Sequence, residues 1–255
     1  MKSLKSFRRK IALFASLSLL SSAALADPLI RVAVASNFLV TAHHIADDFE
    51  AQSGTRVEIV SGSTGKLYAQ IRLGAPYDVF LAADMLRPTL LFDEGLSDPV
   101  KLYARGKLAL WAPTVSLTSD QCDLDVIVAR PKNLALANPD VAPYGRAALE
   151  VLEKLPYYAS GAAKLVYGES VGQVYSYLLT GALDAGFLSL AQVKSSPDSE
   201  GTCVLEVASN QYQPVDQGGV VLLSSNNVSA AREFVGFLKS AEIRTKIEQS
   251  GYSKL

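Results

Sequence analysis

Histidine and cysteine are nearly absent: the 255 residues hold two of each, with two methionines and one tryptophan. Two cysteines with no histidine nearby fall short of the four ligands of a structural zinc site. His43 and His44 are adjacent, so on a helix they point about 100° apart and do not share a metal easily. No run of eighteen apolar residues occurs, which leaves no membrane-spanning helix in the body of the chain. Positive charge is scarce as well. Residues 1–26 hold five cations (Lys2, Lys5, Arg8, Arg9, Lys10) and no acid, leaving 19 cations against 25 acids in the rest. An acidic body without a basic run excludes nucleic acid, whose phosphates require clustered Lys and Arg. What remains is an ordinary globular α/β composition, 49% hydrophobic and 19% charged with 17 Gly and 11 Pro. The length suits one large domain or two of about 110 residues.

The N-terminus reads as an address. Residues 1–10 are basic, Ile11–Leu20 is apolar but too short to span a bilayer, and Ala24-Leu25-Ala26 precedes Asp27. This predicts a signal peptide over 1–26, cleaved after Ala26, and a soluble periplasmic chain from Asp27 to Leu255. In an oxidising compartment, Cys122 and Cys203 are expected to form a disulfide rather than a metal pair or reactive thiols.

Short β-type runs alternate with helical patterns. Ile30–Ala35 reads as a strand, and Phe38, Ala42, Ile45 and Phe49 then mark one helix face. Arg56–Val60, Asp78–Ala83, Lys107–Trp111, Leu134–Ala137, Lys164–Tyr167, Ala185–Leu190, Cys203–Val207 and Gly219–Leu223 are further strands. Helical patterns fill Lys66–Leu73, Arg146–Leu155, Gly172–Leu179, Ala230–Leu238 and Glu242–Gln249. Such alternation implies mostly parallel sheets covered by helices on both faces. Four strand-to-helix junctions carry small or hydroxylic residues: Ser36-Asn37, Gly62-Ser63-Thr64-Gly65, Tyr144-Gly145 and Ser170-Val171-Gly172. In open α/β sheets these junctions meet at the ligand crevice, where helix N-termini expose unpaired N–H groups that favour an anion. Each alone suits helix capping. Four together point to an anion site without a formal cation.

Several motifs do not hold. Gly62-Ser-Thr-Gly-Lys66 has two residues between its glycines where a phosphate loop needs four, and Leu67 follows the lysine. Gly168-Glu-Ser-Val-Gly172 matches a nucleophile elbow, making Ser170 a candidate hydrolase nucleophile. A triad needs an acid and then a histidine after the serine, yet both histidines lie far upstream. Tyr157-Tyr158 suggests phenolate ligation of iron, but lacks a histidine or carboxylate partner signature and suits boundary packing. Asp78 and Asp84 suit turns or caps.

Val32–Phe38 (VAVASNF), Ser61–Ile71 (SGSTGKLYAQI), Gly74–Asp84 (GAPYDVFLAAD), Ala137–Gly145 (ANPDVAPYG) and Gly168–Val174 (GESVGQV) resemble, in order, the periplasmic molybdate-binding proteins of ABC importers. The similarity runs from about residue 29 to the end of the chain. It implies a two-lobed, type II periplasmic binding fold: a first lobe of residues 27–107 plus 219–255, a second of 108–218, and crossovers near 107–113 and 212–219. It further implies a ligand set. Ser36 offers its hydroxyl, Asn37 its amide N–H or side chain, Thr64 a hydroxyl and N–H with Ser63 as the neighbouring alternative, Tyr144 its hydroxyl or backbone N–H, and Val171 its backbone N–H. Members with Ala at the Tyr144 position use a Tyr after the DAGF-like strand; here Ser189 stands there, which moves the weight to Tyr144.

The resemblance implies a non-enzymatic, monomeric receptor for molybdate, and tungstate with it, that serves a membrane permease and needs no cofactor and no metal beyond the oxyanion. A dianion sealed in a cleft must recover its hydration through donors, each worth about 1.5–3 kcal/mol when the partner is charged. Two rivals stay open: a receptor for sulfate or phosphate, which shares every junction argument, and the Ser170 hydrolase.

Overall fold

The computed structural model describes residues 28–114, 122–129, 133–159 and 164–255. The expected signal peptide and its cleavage point lie outside the described residues. Among the described residues, ten strands divide between two five-stranded sheets. The first has the order β2 (Arg56–Gly62), β1 (Leu29–Ala35), β3 (Val79–Leu81), β10 (Val215–Val221), β4 (Lys101–Gly106). The second has the order β7 (Leu165–Gly168), β6 (Leu134–Ala137), β8 (Ala185–Ser189), β5 (Leu108–Ala112), β9 (Cys203–Glu206). The helices are α1 (Leu39–Ser53), α2 (Thr64–Arg72), α3 (Leu86–Asp93), α4 (Leu124–Ala129), α5 (Pro143–Leu152), α6 (Pro156–Ala159), α7 (Val171–Leu179), α8 (Leu190–Lys194), α9 (Val228–Phe237) and α10 (Ala241–Gln249).

Each sheet with its helices forms a lobe, and the chain crosses between them twice. The first crossing is at Lys107, between β4 and β5; the second runs over 207–214, between β9 and β10. The window 212–219 drawn from the sequence thus overlaps the first half of β10, whose Val215–Gly219 pair with β4. The sheets are more mixed than alternation implied. β1 is parallel to β2 and β3, and β6 to β7 and β8, whereas β10 and β5 run antiparallel to their neighbours. These two antiparallel strands are the ones that adjoin the crossings, so they enter their sheets without the right-handed helical crossover that makes neighbours parallel.

Local chemistry explains the elements around the cleft. β3 throughout and β1 from Val32 onward are buried on both faces and read as continuous apolar runs, as parallel strands between helix layers must. α1 buries Ala42, Ile45 and Phe49 against the first sheet, and ends at Gly54, whose φ of 72° suits a residue without Cβ. Cys122 and Cys203 form a disulfide that ties the segment before α4 to β9. Among the described residues, no helix is long and apolar enough to cross a membrane.

Candidate functional site

The C-terminal ends of β1, β2, β6 and β7 face one another across the gap between the lobes. From each, the chain turns into a helical segment. After β1 comes a 3-10 turn, Ser36–Phe38; after β2, α2 capped by Ser63; after β6, α5 with Pro143 at its first turn; after β7, α7 capped by Ser170. Four chain starts thus converge with their first N–H groups unpaired by any helical carbonyl. Between them lies a cavity of about 10 Å³ walled by Ser36, Asn37, Ser63, Thr64, Tyr144 and Val171, with Ala35, Gly62, Ala83, Ala142, Pro143 and Ser170 completing it. Organic-solute pockets run to hundreds of Å³; this one is closed down to about the space of a single water molecule. Ala83 and Pro143 also border an open cleft of about 570 Å³, edged by Arg87, Asp140 and Arg146.

Every residue proposed from the sequence as a ligand donor lies on this wall, and the hydrogen bonds give them different standing. Ser63 Oγ is buried and has no partner among the described residues. Although Ser63 is the cap residue of α2, its side chain makes no capping bond. Thr64 Oγ1 instead accepts from the Ala83 N–H at 3.0 Å. Of the two alternatives that the resemblance left in this loop, Ser63 has the freer hydroxyl. Ser36 Oγ accepts from the Gly172 N–H at 3.2 Å, across the lobes, keeping its own proton to give. Asn37 Nδ2 is committed, donating to Gln217 Oε1 at 3.0 Å and to the Tyr252 hydroxyl at 3.2 Å, while its Oδ1 is buried without a partner among the described residues. The N–H of Asn37 is left as its donor.

Behind the cavity is a buried polar network that the sequence reading missed. Gln217, fully buried on β10, donates from Nε2 to the Tyr144 hydroxyl at 3.3 Å and accepts at Oε1 from the Tyr103 hydroxyl at 3.0 Å. The Tyr252 hydroxyl donates to the Asn37 carbonyl at 2.9 Å. Burial pushes the Tyr144, Tyr103 and Tyr252 hydroxyls well above the ordinary tyrosine range; for Tyr144 the neighbouring Tyr252 and Tyr212 add to this, and bonds with Gln217 and Asn37 offset part of it. All three are neutral donors at physiological pH. The available signal was slight: Gln217 stands between Asp216 and the Gly-Gly-Val-Val stretch of β10.

Of the remaining candidates, Ser189, the two histidines and the two aspartates fall away from the cavity, while Ser170 borders it as a helix cap. Ser189 is fully buried in a capping box at the start of α8, where Oγ accepts from the Gln192 N–H at 3.2 Å and donates to Gln192 Oε1 at 2.9 Å. His43 and His44 are exposed on α1. Ser170 Oγ accepts from the Gln173 N–H at 3.3 Å as an ordinary helix cap in extended backbone, without the strained turn of a nucleophile elbow. Asp78 accepts from the Arg31 N–H and the Ser225 hydroxyl, and Asp84 pairs with Arg87. No cluster of three metal-ligating side chains occurs among the described residues.

Two lobes closed on a small cavity lined by neutral donors define a solute receptor. The chain belongs to the bacterial extracellular solute-binding protein family, whose model matches residues 30–253. Within it, the chain is 37% identical over 227 residues to the molybdate-binding protein ModA of Azotobacter vinelandii, covering 88% of this chain and 89% of that relative. It is 36% identical to the molybdate-binding protein ModA of Rhodobacter capsulatus, covering 86% of each. The solved structure of the Azotobacter vinelandii periplasmic molybdate-binding protein superposes with a TM-score of 0.79 at 34% identity, over 88% of this chain and 98% of that one. These relatives are binding proteins, so the hydrolase reading of Ser170 is set aside.

Proposed function

We propose that this chain is the periplasmic receptor that binds molybdate, and tungstate with it, in the cavity between the lobes and delivers the anion to the permease of an ABC importer. The observation that carries the reading is Ser63: a buried, unpartnered hydroxyl on the wall of a small cavity between the lobes. Leaving such a group unpaired costs about 1–3 kcal/mol, and an acceptor-only oxyanion relieves it. Ser36, Ser63 and Tyr144 supply hydroxyls, while Asn37, Thr64 and Val171 supply N–H groups at the starts of helical segments. No Lys or Arg lines the cavity. The relatives at 36–37% identity that bind molybdate support the choice of anion.

The choice of molybdate over phosphate rests on the relatives, since Asn37 Oδ1, buried without a partner on this wall, is free to accept a phosphate proton. Sulfate matches molybdate in charge and shape but is smaller, so a rigid cavity separates the two by fit. Lobe closure excludes water and presents the permease with a shape distinct from the open one. Export rests on the basic, apolar and A-x-A pattern of residues 1–26. Titration calorimetry with molybdate, tungstate, sulfate and phosphate tests the reading. One-to-one binding of molybdate and tungstate, with sulfate and phosphate far weaker, is expected; no heat with molybdate overturns it.

A further inference from the structure

Three of the four helical segments around the cavity carry glycine in their first turn, yet none of these glycines has a positive φ. Backbone conformation therefore does not demand them, and glycine in a helix is about 0.5–1 kcal/mol less favourable than alanine. Their surroundings differ. A Cβ on Gly145 would lie 2.0 Å from the Ala137 carbonyl oxygen, within its own lobe, so that glycine is required by the packing of α5 on β6. A Cβ on Gly65 would instead meet the opposite lobe, 3.0 Å from the Cα of Val141 and 3.1 Å from its carbonyl oxygen. A Cβ on Gly172 would also meet the opposite lobe, 3.2 Å from Ser36 Cβ. At both sites the glycine N–H makes the bond that joins the lobes: Gly65 to the Val141 carbonyl at 2.9 Å, and Gly172 to Ser36 Oγ at 3.2 Å. The Lys66–Glu169 ion pair at 2.6 Å closes over the same seam.

We infer that Gly65 and Gly172 are closure-determining residues: they are glycine so that the two lobes can approach to hydrogen-bonding distance around the anion, not for the fold of either lobe. This rests on the receptor reading and adds to it the residues that set how tightly the cleft shuts. Affinity in such a receptor includes the free energy of closing, so a residue that hinders only the closed form lowers affinity while sparing the open form. Two methyl groups in this seam are sufficient to test the idea. Opposing backbone at Gly65 yields less readily than the Ser36 side chain at Gly172, so the Gly65 site is the more sensitive.

The experiment compares Gly65→Ala and Gly172→Ala with Gly236→Ala, an α9 position where a Cβ meets nothing within 4 Å. For each, molybdate affinity is measured by calorimetry, ligand-free stability by thermal melting, and compaction on adding molybdate by small-angle X-ray scattering. Gly65→Ala is expected to weaken molybdate about 5- to 150-fold, the equivalent of about 1–3 kcal/mol of overpacking, with a smaller loss for Gly172→Ala. Both should melt without ligand at or above the wild-type temperature and compact less when it is added. Gly236→Ala should melt higher with affinity unchanged. Wild-type affinity in Gly65→Ala, or a fall in its ligand-free melting temperature matching the loss of affinity, overturns the inference. A wild-type chain that takes up none of the four oxyanions refutes the receptor reading itself, and is recognised before any variant is compared.

Discussion

Ser63 and Ser189 are both fully or nearly buried serines at the first cap of a helix, and they differ only in their partners. Ser189 is satisfied within its capping box, whereas Ser63 Oγ has no partner among the described residues. Ser63→Ala should therefore weaken molybdate by about 1.5–3 kcal/mol, ten- to 150-fold, since a charge-assisted bond is lost. Its ligand-free melting temperature should hold or rise, because an unpaired hydroxyl leaves the interior. Ser189→Ala should behave oppositely, losing about 1 kcal/mol of stability with the cap while binding as before. Calorimetry and thermal melting on the two variants check both halves. Changing the exposed His43 and His44 to Ala together should alter affinity less than about tenfold, or 1.4 kcal/mol; a larger loss would bring a titrating group back to the site.

At the scale of elements, the cavity is made where β1, β2, β6 and β7 end, and Tyr144 shows how the two lobes are coupled there. Its hydroxyl, on α5 of the second lobe, accepts from Gln217 on β10 of the first. Tyr144→Phe strands the buried Gln217 Nε2 in the closed form, so molybdate should weaken by about 1–3 kcal/mol. Calorimetry reads that loss, and an unchanged affinity would mean that Tyr144 serves the site through its backbone alone.

Much of this arrangement was legible in the sequence. Hydroxylic or small residues marked the four strand-to-helix junctions, the family resemblance picked Ser36, Asn37, Ser63, Thr64, Tyr144 and Val171 from them, and the structure sets all six on one wall. The order of Ser63 and Thr64 was not legible, because it depends on Ala83, nineteen positions from Thr64 along the chain, donating to Thr64. Gln217 was hidden for the same reason: its role lies in partners 73, 114 and 180 positions away. β4 and the antiparallel entries of β5 and β10 were missed because periodicity reports burial, not strand direction.

The whole molecule adds the covalent and titratable terms. The Cys122–Cys203 bridge closes a separation of 81 residues within the second lobe, worth about 4 kcal/mol in the chain-entropy account. Reduction should lower the melting temperature while molybdate still binds, because neither cysteine lines the cavity; loss of binding before unfolding would show that the bridge holds the site itself. The raised hydroxyls of Tyr103, Tyr144 and Tyr252 make stability fall with alkali. Unfolded tyrosines lose their protons near pH 10 while the buried ones keep theirs, so the contribution is complete below about pH 10 and declines above it. Denaturant midpoints from pH 9 to 11.5 should trace that decline. Tyr144→Phe should make it shallower by about 1.4 kcal/mol per pH unit.

The central claim is that a small oxyanion sits among neutral donors from both lobes. A crystal of the protein grown with molybdate, with anomalous diffraction collected at the molybdenum edge, tests it most directly. The account predicts a single molybdenum peak in the cavity, its oxygens within hydrogen-bonding distance of the Ser36 and Ser63 hydroxyls and the Val171 N–H. A peak elsewhere, beside His43 and His44 or in the open cleft at Arg87 and Arg146, would contradict it.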